Sequence, residues 1–510
     1  MIDIQTALDN FDIKPVHPGA YSSNSGWSAT EGRDAFEATN PADDSAISKV
    51  ASANADDYEK IMCEAVQAQK EWRMVPAPTR GELVARIGQL VSENMESLAA
   101  IVSLDTGKSL MEARGELAEV VDMSIMAAGQ SRMLYGFTQQ SLRREHRMYD
   151  QWLPLGVAGI ISAYNFPAAV WAQNGFLAAI AGNTVIWKPS PKVPLTAIAI
   201  QMLCNKAMSE MDLPSIFSLF IPSENNLAEL LLSDSRIALL SFTGSSSVGY
   251  KVAQIVGQDL GRRYMLECSG NNGCIVDETA DLELAARSIA FGAVGTTGQR
   301  CTSTRRVIVH KSVAEKLTSL LKQAFSQIKI GDPREQDAVV GPLVDRQAVR
   351  DYSEAVQQAQ ALGGTIVCGG KEIDRPGYYV EATLITGLSS NAECVQEETF
   401  SPIVYIIEYD SLNEAIEIHN CVAQGLASGI HTTNLYNTEL FLSAAGSDCG
   451  IAKVNMGTTG ADIGAAFGGE KETGGGRTAG SDAWKGYMRR QSVCINWGGK
   501  SPWDNRINFD

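Results

Sequence analysis

Apolar residues recur at three- and four-residue spacing from about position 55 to 140. DDYEKIMCEAVQAQKEWR (56–73), RGELVARIGQLVSENMESLAAIVSLDTG (80–107) and KSLMEARGELAEVVDMSIMAAGQSRML (108–134) carry this period, which predicts amphipathic helices. At SLRREHRMYDQWLPLG (141–156) the pattern changes to that of a strand with a mixed surface. An alternation of short apolar runs and helical periods follows. VAGIISAYN (157–165), TVIWKPS (184–190), IFSLFIPS (216–223), IALLSFTG (237–244) and YMLEC (264–268) read as strands. AVWAQNGFLAAIAG (169–182), LTAIAIQMLCNKAM (195–208), NNLAELLLSDS (225–235) and SSVGYKVAQIVG (246–257) read as the helices between them. Strands buried on both faces and joined by helices predict a parallel doubly wound sheet. The alternation restarts near residue 270 with GCIV, DLELAARSIAFGAVG, RRVIVH and SVAEKLTSLLKQAFSQI, which predicts a second α/β unit. RRQSVCINW (489–497) reads as an isolated strand after a glycine-rich loop.

At 510 residues the chain is too long for one hydrophobic core and should divide into two or three domains. A net charge of −17 argues against a nucleic-acid or anionic-membrane surface. Ten cysteines lie scattered without CxxC pairs and five histidines are equally dispersed, so no metal site is expected. No stretch approaches the roughly 20 apolar residues of a membrane helix. The N-terminus lacks the basic start and apolar core of a secretory signal. Free thiols in a reducing cytoplasm fit this usage.

A doubly wound sheet presents its strands' carboxyl ends to ligands. The fingerprint GxGxxG follows none of these strands, and GGGRTA (474–479) reads as a loop because no strand precedes it. FTGSSSVG (242–249) does follow a strand. Gly244 would permit a tight turn there, and Ser245 with the amides of the next helix could hold a pyrophosphate. Lys188 ends a strand where it could reach ribose hydroxyls or phosphate, or stand as a surface lysine. Glu267 ends another. A carboxylate among apolar neighbours is paired, raised in pKa or functional. Asn165 lies just beyond a strand, where its amide can donate to an oxyanion or cap the helix that follows. Cys301, in GQRCTSTRR (298–306), is either a nucleophile or a buried thiol. Together these residues would serve thiol addition to a carbonyl and hydrolysis of the thioester, with Glu267 as base because no histidine lies near in sequence.

The ordered series YNFP, GNTVIWKPS, FTGSSSVG, LECSGNN, GQRCTSTRR, EETFSP (397–402) and FGGEKETGGGRTAGSDAWKGYMRR (467–490) resembles the NAD(P)-dependent aldehyde dehydrogenase superfamily over roughly residues 20–500. The resemblance implies an α/β protein of three parts. These are a Rossmann-like cofactor domain (1–140 and 157–268), a catalytic domain (269–465), and an oligomerisation element from strands at 141–156 and 488–500, each adding to a partner's sheet. It implies Cys301 as nucleophile, Glu267 as base, and Asn165 with the Cys301 amide as oxyanion hole. For the cofactor it implies Lys188 and Glu398 at the ribose, Ser245 and Gly244 at the pyrophosphate, Phe400 near the nicotinamide, and Trp187 and Ser190 beside Lys188. NAD is the implied cofactor. Pro191 stands where many members carry a glutamate for the adenosine ribose, so NADP stays open. Cys268 and Ser269 also depart from the usual pattern, beside the proposed base.

Within the superfamily, GQRCT, GTTGADIGAAFGGEKETGGGR and GSDAWKGYMRR look most like the α-aminoadipic semialdehyde dehydrogenase (antiquitin) branch. That likeness implies that Arg300 binds a substrate carboxylate, Glu119 approaches an amino group, Thr459, Gly460 and Ala461 anchor the amino-acid end, and Phe467 lines the site. A planar guanidinium suits a carboxylate, although Arg300 could instead pair with a neighbouring acid. The implied reaction oxidises 2-aminoadipic 6-semialdehyde, in equilibrium with piperideine-6-carboxylate, to 2-aminoadipate in lysine catabolism, by a cytoplasmic dimer or tetramer. The alternatives are another ω-semialdehyde, a betaine-type aldehyde, a cofactor-free thiol hydrolase, or a catalytically silent structural member.

Overall fold

The computed structural model describes residues 4–499 except 224, 336 and 461. Two seven-stranded sheets organise it. The first has the order Arg263–Glu267, Ile237–Thr243, Val157–Ile161, Thr184–Lys188, Phe217–Phe220, Ala20–Ser22, Gly26–Trp27. Its strands from the 157–267 region pair in parallel, and their short apolar runs are buried on both faces except in the edge strand Arg263–Glu267, where Arg263 and Tyr264 are exposed. The alternation read from the sequence is therefore the sheet itself. Its far edge is not: the short antiparallel strands Ala20–Ser22 and Gly26–Trp27 complete it. Behind the sheet, Trp187 stacks on Trp171 with ring centroids 5.0 Å apart, and Phe176 and Phe217 close around them.

The second sheet runs Thr365–Cys368, Thr383–Thr386, Ile403–Tyr409, Thr304–His310, Asn272–Val276, Ala427–His431, Ile451–Val454. All its pairs are parallel except the one made by Thr365–Cys368.

The predicted helices between 55 and 140 are Ala55–Trp72, Ala77–Glu93, Met95–Thr106 and Leu110–Gln130. Asn54 and Asp57 form a reciprocal capping box on the first, and Ser109 caps the last by accepting from the Glu112 amide. Leu110–Gln130 carries Glu112, Glu116 and Glu119 at i, i+4 and i+7, the spacing of one helix face. None of the helices among the described residues is long and apolar enough to cross a membrane.

The strands foreseen at 141–156 and 488–500 form as His146–Pro154 and Met488–Asn496. They pair with each other, antiparallel from Pro154 opposite Met488 to His146 opposite Asn496, within one chain. A third short strand, Thr138–Gln139, joins the other side of His146–Pro154.

Candidate active site

Register places the site. Ile161 stands opposite Lys188 and Thr243 opposite Glu267, so these strand ends share one edge of the first sheet, with Asn165 just past Val157–Ile161. Against this edge come the amino ends of strands of the second sheet. The thiol does not come from a strand end of this sheet: it occupies the turn before Thr304–His310. Asn272 Nδ2 donates to the Cys301 and Ser303 carbonyls, each at 2.8 Å. Gly270 allows the close approach, because a Cβ there would stand 2.2 Å from the Cys301 carbonyl oxygen. The resulting cavity, about 730 Å³, brings Cys301, Glu267, Asn165, Lys188, Glu398 and Arg300 to one space.

Within it, Glu267 is 2% exposed and its Oε1 has no hydrogen-bond partner among the described residues. Burial pushes its pKa up to about 7, against the pull of Cys301 and Thr243. The Cys301 thiol is pushed well above its ordinary value, by burial first and then by the Glu267 carboxyl. An un-ionised thiol beside a carboxyl raised to about 7 is an arrangement that can serve as a nucleophile and its base. Asn165 Nδ2 donates one hydrogen to the Gln299 carbonyl at 2.9 Å, leaving the other for a ligand. The Asn165 carbonyl accepts from Lys108 Nζ at 2.7 Å.

Arg300 is nearly enclosed, and the alternative left open by the sequence is realised: its Nη2 pairs with Glu112 Oε1 at 3.0 Å. Its Nε donates to Thr296 Oγ1 at 3.1 Å, while Nη1 has only a long contact, 3.4 Å, to Thr459 Oγ1. Thr296 and Thr297 hold φ of 52° and 55°, a conformation that β-branched residues rarely adopt. Glu112 accepts from the Thr296 amide at 2.6 Å and so ties this strained turn to the helix Leu110–Gln130. Glu119 reaches the cavity one helical turn beyond Glu116. Burial and the Glu116 charge push its carboxyl up to about 7, and Gln173 Nε2 approaches at 3.5 Å. Thr459, Gly460 and Phe467 line the same end; Ala461 lies outside the described residues.

At the other end Lys188 is 8% exposed, makes no side-chain ion pair among the described residues, and is lowered to about 8 by burial. An unpaired ammonium in a cavity wall fits a ligand rich in hydroxyls and phosphate. Ser190, Gly244 and Ser245 line the wall beside it. Ser245 caps the helix Ser246–Val256 by accepting from the Val248 amide, so the positive end of that helix lies at the cavity wall, where an anion would be favoured. The chain bends at Gly244 without a positive φ, and a Cβ there would stand 2.6 Å from the Phe242 ring. Trp187 is not brought to the cavity by its side chain. Its indole is buried and donates to Ser162 Oγ at 2.9 Å, because alternate side chains of a strand face opposite ways. Glu398 accepts from the Gly270 amide at 3.2 Å and lies 3.6 Å from Arg305, while burial raises its pKa. Phe400 packs edge-on to Tyr164 at 6.0 Å. Ser269 Oγ accepts from the Ser246 amide at 3.2 Å, and the buried Cys268 thiol is pushed up to about 12. A nicotinamide dinucleotide fits this donor set. Among the described residues, the cluster His419, Asp448 and Cys449 has the ligand types of a metal site but lies outside the cavity, with Asp448 paired to Lys471 at 2.8 Å.

Sequence reasoning missed Lys108, Glu112, Glu116, Gln299 and Arg305. The three glutamates at i, i+4 and i+7 carried a signal, since that helix face would ordinarily be apolar.

Residues 27–493 match the Aldehyde dehydrogenase family. Alpha-aminoadipic semialdehyde dehydrogenase of Rattus norvegicus is 44% identical over 469 residues, covering 92% of this chain and 87% of the rat protein. Aldehyde dehydrogenase family 7 member B4 of Arabidopsis thaliana is 43% identical over 470 residues, covering 92% of each. Among solved structures, betaine aldehyde dehydrogenase of Staphylococcus aureus in complex with NAD+ superposes with a TM-score of 0.91 at 25% identity, covering 98% of both chains. With its thiol, carboxyl and amide gathered at one sheet edge, the chain belongs to the aldehyde dehydrogenase family.

Proposed function

We propose that this enzyme oxidises 2-aminoadipic 6-semialdehyde, in equilibrium with piperideine-6-carboxylate, to 2-aminoadipate in lysine breakdown. The observation that carries the reading is the Arg300 guanidinium and the Glu119 carboxyl lining one cavity with Cys301. Arg300 keeps Nη1 for a carboxylate, and Glu119 faces an ammonium. The rat relative's name supports the same substrate.

Glu267 takes the proton of Cys301 as the sulfur attacks the aldehyde carbon. The C–S bond leaves an oxyanion within reach of the free Asn165 N–H, which stabilises charge that exists only after attack. When bound, a nicotinamide cofactor would supply the acceptor for the hydride that leaves the attacked carbon. Glu267, having released that proton to solvent, then draws a proton from water as the water oxygen attacks the thioester carbon; the C–S bond breaks, the acid product ionises and leaves, and Glu267 returns its proton to the Cys301 sulfur. Lys188 and Glu398 hold the cofactor ribose hydroxyls, Ser245 its pyrophosphate, and Phe400 flanks the nicotinamide ring. NAD is the cofactor in this reading. Residues 1–140 and 157–268 act as the cofactor domain, 269–465 as the catalytic domain, and 141–156 with 488–500 as the oligomerisation element of a cytoplasmic homotetramer.

NADH formation at 340 nm, measured with 2-aminoadipic semialdehyde beside hexanal, tests it. The amino-acid aldehyde is preferred, and Cys301→Ala abolishes activity on both. A preference for hexanal would discard the substrate and keep the chemistry.

A further inference from the structure

Lys108 and Glu116 form an ion pair at 2.6 Å in which both side chains are 0% exposed. Such a pair gives up the hydration of two charges and is commonly no more stabilising than apolar residues of the same volume. Its presence here calls for a geometric reason, and each remaining bond supplies one. Lys108 Nζ also donates to the Asn165 carbonyl at 2.7 Å and lies 4.1 Å from the centre of the neighbouring Phe166 ring. Glu116 Oε1 accepts from the Ala168 and Ala169 amides at 2.8 and 3.1 Å, at the start of the helix Ala169–Ile180. The pair therefore grips the loop carrying Asn165 from both sides.

The grip is itself fixed. Ser103 Oγ donates to the Lys108 carbonyl at 2.8 Å. Gly107 turns the chain at φ 78°, where a Cβ would meet Pro342 Cγ at 2.7 Å. Glu116 rides on a helix whose neighbouring turns hold Glu112 and Glu119.

We propose that Lys108 and Glu116 are positioning residues for the oxyanion donor, holding the Asn165 amide at the point where the oxygen of the attacked aldehyde acquires its charge. The inference rests on the role of Asn165 given above. Neither residue touches the reacting atoms; both act through the loop. Displacing a donor by about 1 Å can cost about a hundred-fold in rate, so the loss should appear in the chemical step.

The test is a cycle with Asn165. The double variant Lys108→Met/Glu116→Gln removes both charges together, and its glutamine can still accept from the Ala168 and Ala169 amides. Pre-steady-state NADH formation with saturating aldehyde and NAD is measured for this variant, for Asn165→Ala, and for the triple variant. The double variant should form NADH about a hundred-fold more slowly, with its NAD affinity and the alkylation of Cys301 by iodoacetamide unchanged. In the Asn165→Ala background the same two substitutions should cost almost nothing, because the donor they position is gone. Losses that multiply across the cycle, or a folded double variant with wild-type rate, would overturn the proposal. Should the double variant not fold, Lys108→Gln, which keeps a neutral donor toward both acceptors, is put through the same cycle and read by the same two criteria. A near-normal rate in Asn165→Ala alone would remove the underlying reading, which separates the two failures.

Discussion

One amide hydrogen of Asn165 binds the Gln299 carbonyl, and in the proposed mechanism the other goes to the substrate oxygen. Asn165→Ala should lower turnover by about 10²–10³ while NAD binding persists, the usual loss for one oxyanion donor; a turnover assay with a fluorescence titration of NAD checks both. Glu267 yields two opposite pH effects. Its base form grows as pH rises through about 7, so wild-type turnover should climb between pH 6 and pH 8. Its folded pKa lies above the unfolded value of 4.5, so its contribution to stability is present below 4.5 and lost as pH rises through about 7. Glu267→Gln should therefore be inactive, yet more stable than wild type at pH 8 by about 3 kcal/mol, with the difference shrinking toward pH 5 in thermal melts. Arg300→Ala should raise KM for the amino-acid aldehyde far more than for hexanal, and equal effects would remove its role as reader of the carboxylate. Glu267, Asn165 and Lys188 were legible in the sequence because strand ends fix where such groups must point; Cys301, in a turn, was legible only through the motif GQRCTSTRR and the resemblance it carries. Glu112 and Lys108 were not, since their partners lie 188 and 57 residues away.

Among the elements, the helix Leu110–Gln130 does the most to hold the site together. One face reaches Arg300 and Thr296, the start of Ala169–Ile180, and the cavity wall. Amphipathic periodicity predicted the helix but could not say that its buried face was acidic for a purpose. The turn before Cys301 is the second such element. Gly298 holds φ 70°, and a Cβ there would stand 2.4 Å from the Ser401 backbone. Gly298→Ala should shift this turn and remove most activity, with loss of stability as well, because neither the backbone angle nor Ser401 can yield cheaply. Activity and thermal melts of the purified variant decide it. The strands Val16–Pro18 and Ala20–Ser22 escaped the sequence reading because runs this short carry too little alternation to declare a period, and Ala35–Asn40 because AFEATN holds no continuous apolar run.

For the whole molecule, the sheets meet carboxyl edge to amino edge, and the reactive groups come from both sides of that meeting. The parallel alternation made the first sheet legible. Strands such as Ile403–Tyr409 and Ala427–His431 join the second only through partners distant in sequence, and they went unread. The segments 146–154 and 488–496 were foreseen as strands, yet their pairing with each other is a long-range fact that local pattern does not encode. Ile495 and Trp497 remain exposed at the end of this ribbon. If the ribbon joins subunits, Ile495→Lys with Trp497→Lys should reduce the particle mass in light scattering and leave NAD binding intact; an unchanged mass would exclude these two side chains from the contact.

The Glu112–Arg300 pair also bears on how such an enzyme can change over generations. A descendant that lost the arginine alone would inherit an orphaned acid tied to its nucleophile turn, and would be penalised before any new substrate could be tried. Substrate range should therefore drift by paired exchanges at 112 and 300, with the helix and the turn changing as one heritable unit.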